Sequence, residues 1–174
     1  MVLNDLQSQY ARLRPAIDAR IQAVLDHGRF ILGPEVAELE TALAAYAGCA
    51  HAVGVASGTC ALHLVLRGLG LKDGDEVITA PNSFVASAAT VARAGAKPVF
   101  VDICDDGNLD PQRMEEAIND RTRGIVPVHL TGRPAKMVEI MDIAGRHDLF
   151  VLEDAAQALG ANFAYIGSPW IAAT

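Results

Sequence analysis

Short apolar runs alternate with helical patterns along most of this chain, and no other feature limits its possible folds so strongly. Five apolar runs are each predicted to form a strand, at residues 52–57, 76–80, 98–103, 123–130 and 149–153. Helical spacing of apolar residues marks 59–69, 83–94 and 136–147, and Asp110-Pro111 predicts the start of a further helix. This alternation predicts an α/β sandwich with a mainly parallel sheet and right-handed crossovers.

Two amphipathic helices are predicted before the first strand, at residues 3–25 and 34–46, with glycines at positions 28 and 33 between them. A chain of 174 residues is long enough to bury a sizeable core within one domain. We therefore expect a single domain, in which residues 1–50 supply N-terminal helices and residues 51–174 form the strand–helix core.

The composition excludes several classes of protein. Apolar residues make up 51% of the chain, which is too many for a disordered segment. The net charge is −7 and no Lys/Arg cluster exceeds two residues, so no nucleic-acid partner is expected. The apolar runs are too short to span a bilayer, and the N-terminal residues do not resemble a signal peptide. We therefore expect a cytoplasmic protein with no membrane partner.

No metal site or disulfide is predicted. The cysteines at positions 49, 60 and 104 are odd in number and outside any C-x-x-C pattern, which indicates free thiols in a reducing compartment. The histidines show no ligand spacing with one another. The aspartates between residues 102 and 110 lack the glycine and the closing glutamate of a calcium loop, so they indicate a solvated turn.

The segment 149–157 carries the sharpest functional signal. An apolar run ends in Asp154, and Gln157 follows three residues later. Parallel strands carry ligand chemistry at their carboxyl ends, and a helical turn starting there would point Gln157 the same way as Asp154. A buried carboxylate needs a cationic or hydrogen-bonding partner, such as a protonated ring nitrogen. A structural helix cap is the alternative for Asp154, and Glu153 is expected to face the opposite side of the strand.

Three other candidate sites lie at predicted strand ends. Gly58 and Thr59 follow Ser57 at the start of a helix, where backbone amides could bind a phosphate, although a plain helix cap explains them as well. Phe84 could stack on a flat ring, or it could be an ordinary core residue. His129 could contact a ligand, with a hydrogen-bonded structural histidine as the alternative.

Taken in order, these segments resemble the DegT/StrS family of sugar aminotransferases, which are pyridoxal-phosphate enzymes of the aspartate-aminotransferase fold. The resemblance extends from about residue 31 to residue 160. No single motif is decisive, but the ordered set is specific. The segments that carry it are Gly-Pro-Glu-Val at 33–36, Ser-Gly-Thr-Cys-Ala-Leu at 57–62, Gly-Asp-Glu-Val-Ile at 74–78, Asn-Ser-Phe-Val-Ala-Ser at 82–87, Gly-Ala-Lys-Pro-Val-Phe-Val-Asp at 95–102, Val-His-Leu-Thr-Gly at 128–132 and Glu-Asp-Ala-Ala-Gln at 153–157.

The resemblance implies a role for five residues around pyridoxal 5'-phosphate. Gly58 and Thr59 would bind the phosphate of the cofactor, and Phe84 would stack on its ring. Asp154 would pair with the ring nitrogen, and Gln157 would approach the phenolic oxygen. A carboxylate at the ring nitrogen keeps it protonated, so that the ring withdraws electrons during amino transfer.

One departure from the family is as important as the resemblance. These enzymes hold the cofactor as a Schiff base on a lysine that lies downstream of the Asp-x-x-Gln element. Here 17 residues follow Gln157 and none is lysine; Gly167-Ser168 resembles the approach to the strand before that lysine. The three lysines, at positions 72, 97 and 136, are not expected to replace it. We therefore expect an incomplete large domain, without a catalytic lysine or the small C-terminal domain, and no activity from this chain alone.

The predicted function is part of an aminotransferase that moves an amino group from an amino acid, commonly glutamate, to a keto sugar on a nucleotide carrier. The complete enzyme is expected to be a homodimer. Two alternatives stay open: a sugar dehydratase on the same scaffold, which a histidine in place of the downstream lysine would favour, and a non-enzymatic interaction module.

Overall fold

A computed structural model describes residues 4–162 and 171–173 of the chain. The chain divides into two compact units, residues 1–54 and residues 55–174. The sequence predicts a single domain with its internal boundary at residues 50 and 51, and that organisation remains a prediction.

Two helices form the first unit, α1 (Leu6–His27) and α2 (Pro34–Ala47). Asp5 caps α1 by accepting a hydrogen bond from the Ser8 amide at 3.0 Å, and Pro34 occupies the first turn of α2. Each helix ends at a glycine, residue 28 or 48, with φ of 67°, a left-handed conformation that other residues adopt at a cost. The sequence therefore predicts both helices correctly, with ends displaced by at most three residues.

The second unit is built on a parallel five-stranded sheet with the strand order β2-β1-β3-β4-β5. The strands are β1 (Glu76–Thr79), β2 (Lys97–Phe100), β3 (Thr122–Val126), β4 (Phe150–Asp154) and β5 (Ile171–Ala173). The register places Ile78 beside both Val99 and Ile125, and Ile125 beside Val151. Because all the strands are parallel, their carboxyl ends meet at one edge of the sheet.

Helices cover both faces of this sheet. They are α3 (Gly58–Gly68), α4 (Ala86–Arg93), α5 (Pro111–Glu116) and α6 (Met137–Arg146), and a 3₁₀ turn covers Leu130–Gly132. Successive strand residues face opposite sides. Val77, Val126 and Leu152 pack in one buried cluster with residues of α3 and α4, whereas Ile78 and Ile125 pack in another with residues of α5 and α6. The predicted α/β sandwich with a mainly parallel sheet is therefore confirmed, with helices in layers on the two faces of the sheet.

The strand predicted at residues 52–57 is wrong. Residues 51–55 have no regular secondary structure, and Val53 is 78% exposed. The run is short, and Gly54 interrupts it with a residue that weakens strands. The Gly54 amide donates to Glu40 Oε1 at 2.7 Å rather than to a neighbouring strand. Asp154 consequently ends the fourth strand of the chain instead of the fifth.

The strand predicted at residues 123–130 is shorter than expected and ends at Val126. Pro127 has no amide hydrogen to donate, which limits further pairing. A single bridge between Val128 and Asp154 continues the contact with β4. His129 therefore lies beyond the end of β3, in the segment that enters the 3₁₀ turn.

Gly124 of β3 has no room for a side chain. It lies beside Phe150 of β4, and a Cβ atom at position 124 would overlap the Phe150 ring. We expect Gly124→Ala to lower the free energy of unfolding by about 1–3 kcal/mol, because overpacking forces the ring or the strand to move. The matched control is Gly145→Ala in α6, where a Cβ meets nothing within 4 Å and alanine should stabilise the helix. Denaturant unfolding of the two variants checks this, and equal stability would contradict it.

Candidate functional site

A cavity of about 380 Å³ opens at the carboxyl edge of the sheet. It lies where β1, β3 and β4 end and where α3 and α4 begin, as expected for a ligand site in an α/β fold. All five residues proposed from the sequence line it. The lining residues are Gly58, Thr59, Leu62, Ser83, Phe84, Ala86, Val128, Leu130, Asp154, Ala156 and Gln157.

The amino end of α3 supplies backbone donors to this cavity. The first amides of a helix have no partner within it. The side chain of Ser57 caps the helix by accepting from the Cys60 amide at 3.2 Å. In the described part of the chain, no hydrogen bond occupies the amides of Gly58 and Thr59. These two amides, with the positive end of the helix dipole, suit an anion.

Phe84 presents its ring to the cavity rather than to the core. It follows β1 in the segment before α4, and it is 74% exposed. Burial of an aromatic side chain is favourable, so exposure at the mouth of a cavity leaves an apolar face available for a ligand. The alternative of an ordinary core phenylalanine is therefore wrong.

Asp154 is held firmly at the end of β4. Its backbone N–H donates to Pro127 O at 2.9 Å, and its carbonyl accepts from the His129 amide at 3.1 Å. Its Oδ2 accepts from the Ser87 hydroxyl at 2.9 Å, and its Oδ1 from the Ala156 amide at 3.3 Å. The residue is only 8% exposed, yet it lines the same cavity as Gly58 and Thr59. A buried carboxylate of this kind favours a cationic ligand group.

Gln157 reaches the cavity from a turn rather than from the helical turn expected of it. The Ala158 amide donates to Ala155 O at 2.8 Å, which closes that turn. Oε1 of Gln157 accepts from the Thr131 amide at 2.8 Å. Because the Thr131 N–H must face the side-chain oxygen of Gln157, the NH₂ group of Gln157 remains free to donate to a ligand.

His129 and Glu153 form a buried pair beside the cavity without lining it. The Ala135 amide donates to His129 Nδ1 at 3.1 Å, so the proton of the ring is on Nε2, which donates to Glu153 Oε2 at 2.6 Å. Both side chains are 4% exposed. Glu153 thus faces away from its neighbour Asp154, as predicted, and His129 is the hydrogen-bonded structural histidine.

None of the three lysines lines the cavity. Lys97 begins β2 at the opposite edge of the sheet, where its Nζ donates to Glu76 Oε1 at 3.3 Å, and Lys72 is exposed in the turn before β1. Lys136 precedes α6 and donates to Cys104 Sγ at 3.3 Å. That hydrogen bond raises the pKa of Lys136, which disfavours the neutral amine that carbonyl chemistry requires.

Several lining residues were not identified from the sequence. Val128 and Leu130 form an apolar wall, and Ser83 adds a hydroxyl from the segment between β1 and α4. Ser87, in the first turn of α4, contacts both Ser83 and Asp154. The available signal was a serine pair at i and i+4 in the alanine-rich segment predicted to be helical at residues 83–94.

The described residues contain no group of three or more His, Cys, Asp or Glu side chains that could hold a metal ion. The aspartates of the 102–110 loop serve its backbone instead: Asp102, Asp106 and Asp110 each accept from nearby amides. Within the part of the chain that the structure describes, no helix is both long and apolar enough to cross a membrane. The Gly167-Ser168 segment lies outside the described residues.

Several solved structures with a similar fold are named as aminotransferases. The chain is 50% identical to DesV of Streptomyces venezuelae, solved in complex with a ketimine intermediate, with a TM-score of 0.86 over 90% of this chain and 42% of that one. It is 40% identical to NtdA of Bacillus subtilis, solved with bound cofactor PMP, with a TM-score of 0.78 over 80% of this chain and 32% of that one. The chain therefore has the α/β fold found in solved aminotransferases.

Sequence comparison identifies the family within that class. The DegT/DnrJ/EryC1/StrS aminotransferase family model matches residues 12–168, and the chain belongs to this family. A curated relative, the UDP-2-acetamido-2-deoxy-3-oxo-D-glucuronate aminotransferase of Pseudomonas aeruginosa, is 51% identical over 160 residues. Those residues are 91% of this chain and 45% of the relative, so the chain spans less than half of the length of the protein it matches.

Proposed function

We propose that this chain forms the cofactor-binding part of an aminotransferase that moves an amino group to a keto sugar on a nucleotide carrier. The observation that carries the proposal is the convergence of Gly58, Thr59, Phe84, Asp154 and Gln157 on one cavity. The Pseudomonas aeruginosa relative, named for a UDP-linked keto sugar, supports the substrate class. The amino donor would be an amino acid such as glutamate, and the complete enzyme a homodimer.

The groups around the cavity fit pyridoxal 5'-phosphate. The volume of about 380 Å³ lies in the range of small-molecule sites. The amides of Gly58 and Thr59 would hold the phosphate group at the amino end of α3, and Phe84 would cover one face of the ring. The NH₂ group of Gln157 would donate to the phenolic oxygen. Separate elements of the fold would thus contact the phosphate group, the face of the ring and the phenolic oxygen.

The carboxylate of Asp154 would hold a proton on the pyridine nitrogen. When bound, the cofactor supplies an electron-withdrawing ring that stabilises negative charge next to the reacting nitrogen. Asp154 suits this role because it is buried, where a pairing with a cation is stronger than in water. Two neighbouring donors orient the carboxylate without neutralising it.

The Schiff-base step of amino transfer requires a group that the residues around this cavity do not supply. A lysine amine must reach the cofactor, and lysines 72, 97 and 136 all lie away from the cavity. We therefore propose that the chain binds the cofactor but does not complete amino transfer unaided.

A binding experiment tests the proposal on the chain as it is. Pyridoxal 5'-phosphate is titrated into ¹⁵N-labelled chain, and pyridoxal, which lacks the phosphate, serves as the matched control ligand. We expect saturable amide shifts at Gly58, Thr59 and Gln157, with at least roughly tenfold weaker binding of pyridoxal, because the charged phosphate contacts are lost. Gly74, in the turn at the opposite edge, should not shift. Absence of saturable shifts at the cavity, or equal affinity for both ligands, would overturn the proposal.

A further inference from the structure

Two serine hydroxyls lead from the cavity to the carboxylate of Asp154. Ser83 lines the cavity, and its Oγ lies 3.0 Å from Ser87 Oγ. Ser87 Oγ in turn lies 2.9 Å from Asp154 Oδ2, a contact between buried side chains 67 residues apart in sequence. Ser87 itself is 1% exposed and belongs to the first turn of α4. The hydroxyl pair therefore connects the end of β1, through α4, to the end of β4.

The chemistry of the three groups fixes the direction of these hydrogen bonds. An ionised carboxylate only accepts, and a hydroxyl has one proton to give. Ser87 must therefore donate to Asp154, and Ser83 must donate to Ser87. A hydroxyl that accepts one hydrogen bond becomes a better donor in the next, so Ser83 strengthens the contact of Ser87 with the carboxylate.

The contacts of Asp154 are divided between its two oxygens. Ser87 donates to Oδ2, and the Ala156 amide donates to Oδ1 at the longer distance of 3.3 Å. Each carboxylate oxygen can accept about two hydrogen bonds, so both keep capacity for a ligand. The shorter contact, made by a buried helix residue, holds the carboxyl group in place and so restrains rotation of the Asp154 side chain about its Cα–Cβ bond.

We infer that Ser87 is a positioning residue, which sets the rotamer of Asp154 so that the carboxylate meets a protonated ring nitrogen in the cavity; Ser83 supports Ser87. This inference rests on the proposed function for the identity of the ligand. The orientation of Asp154 by Ser87 does not depend on any ligand, and the two statements can therefore fail separately.

The first test measures the rotamer of Asp154 in the ligand-free chain, from three-bond couplings to its Cγ. In the wild-type chain we expect a single rotamer. Ser87→Ala removes the donor and should give averaged couplings, whereas Ser83→Ala should change them less. Thr90→Val is the matched control, since Thr90 is a buried α4 residue whose hydroxyl donates to Ala86 O at 2.7 Å. An unchanged rotamer in Ser87→Ala would overturn the inference, whatever the ligand.

Should Ser87→Ala fail to fold, Ser87→Cys provides the second variant. A thiol is somewhat larger than a hydroxyl and is a weaker donor. We therefore expect partial averaging of the couplings to Asp154 Cγ. Wild-type couplings in a folded Ser87→Cys chain, together with wild-type stability, would count against the role of the hydroxyl.

The second test follows the ligand. With pyridoxal 5'-phosphate labelled with ¹⁵N at the ring, the nitrogen shift reports its protonation. We expect Ser87→Ala to move this shift toward the unprotonated value and to weaken binding roughly tenfold, while Thr90→Val leaves both unchanged. An unchanged nitrogen shift in Ser87→Ala contradicts the inference. A wild-type chain that binds no cofactor contradicts the proposed function instead, and the rotamer measurement still decides the role of Ser87.

Discussion

Replacing Asp154 with asparagine is expected to lower the affinity of the chain for pyridoxal 5'-phosphate roughly a hundredfold. A hydrogen bond to a charged group contributes about 1.5–3 kcal/mol, and a hundredfold change corresponds to about 2.7 kcal/mol. The asparagine side chain is nearly the same size as the aspartate, so the cavity keeps its shape. It carries no charge, however, and can no longer hold a proton on the ring nitrogen. Titration followed by the fluorescence of the ligand measures the affinity.

The matched control for this variant is Asp142→Asn. Asp142 lies on α6, is exposed, and pairs with Arg146 at 3.1 Å, so its replacement removes one negative charge without touching the cavity. Surface ion pairs of this kind contribute little, and we expect affinity within about twofold of the wild-type value. Similar affinities for the two variants would show that the charge of Asp154 does not contribute to binding.

Five of the residues that line the cavity were predicted from the sequence, and for those at strand ends the reason is a simple rule of parallel strands. A polar residue directly after a short apolar run is carried to the carboxyl edge, and all such residues meet there. Asp154 follows this rule because it ends β4, and Phe84 reaches the same edge from the segment between β1 and α4. Their convergence therefore depends on the fold class, which the alternation of strands and helices already indicated.

Details that depend on contacts distant in sequence were not predictable. The hydroxyl of Ser87 meets Asp154 across 67 residues, and Gln157 meets the Thr131 amide across 26 residues. The residues that neighbour these positions in the sequence do not indicate either contact. The run at residues 52–57 misled for a related reason, because strand propensity is realised only when a partner is available, and the Gly54 amide bonds to a glutamate side chain instead.

The pairing of His129 with Glu153 could not be predicted either, yet we expect it to be among the largest single contributions to the stability of residues 55–174. The two side chains are buried, and their contact of 2.6 Å joins the segment after β3 to β4. The imidazole bonds Oε2, and among the described residues Oε1 of Glu153 has no hydrogen-bond partner. The imidazole is therefore the group that compensates the carboxylate for its loss of water.

His129→Ala is expected to lower the free energy of unfolding by about 3–5 kcal/mol, because it leaves a buried carboxylate without its partner. Glu153→Gln keeps an acceptor for Nε2 and removes the charge, so it should cost no more than about 1 kcal/mol. The double variant separates charge from packing: if the unpaired carboxylate dominates, adding Glu153→Gln to His129→Ala should recover at least about 1 kcal/mol. Urea unfolding of the wild type and the three variants gives the four values. If the double variant is as unstable as the sum of the single changes, the loss comes from packing around the imidazole, and the carboxylate left without its donor is not the cause.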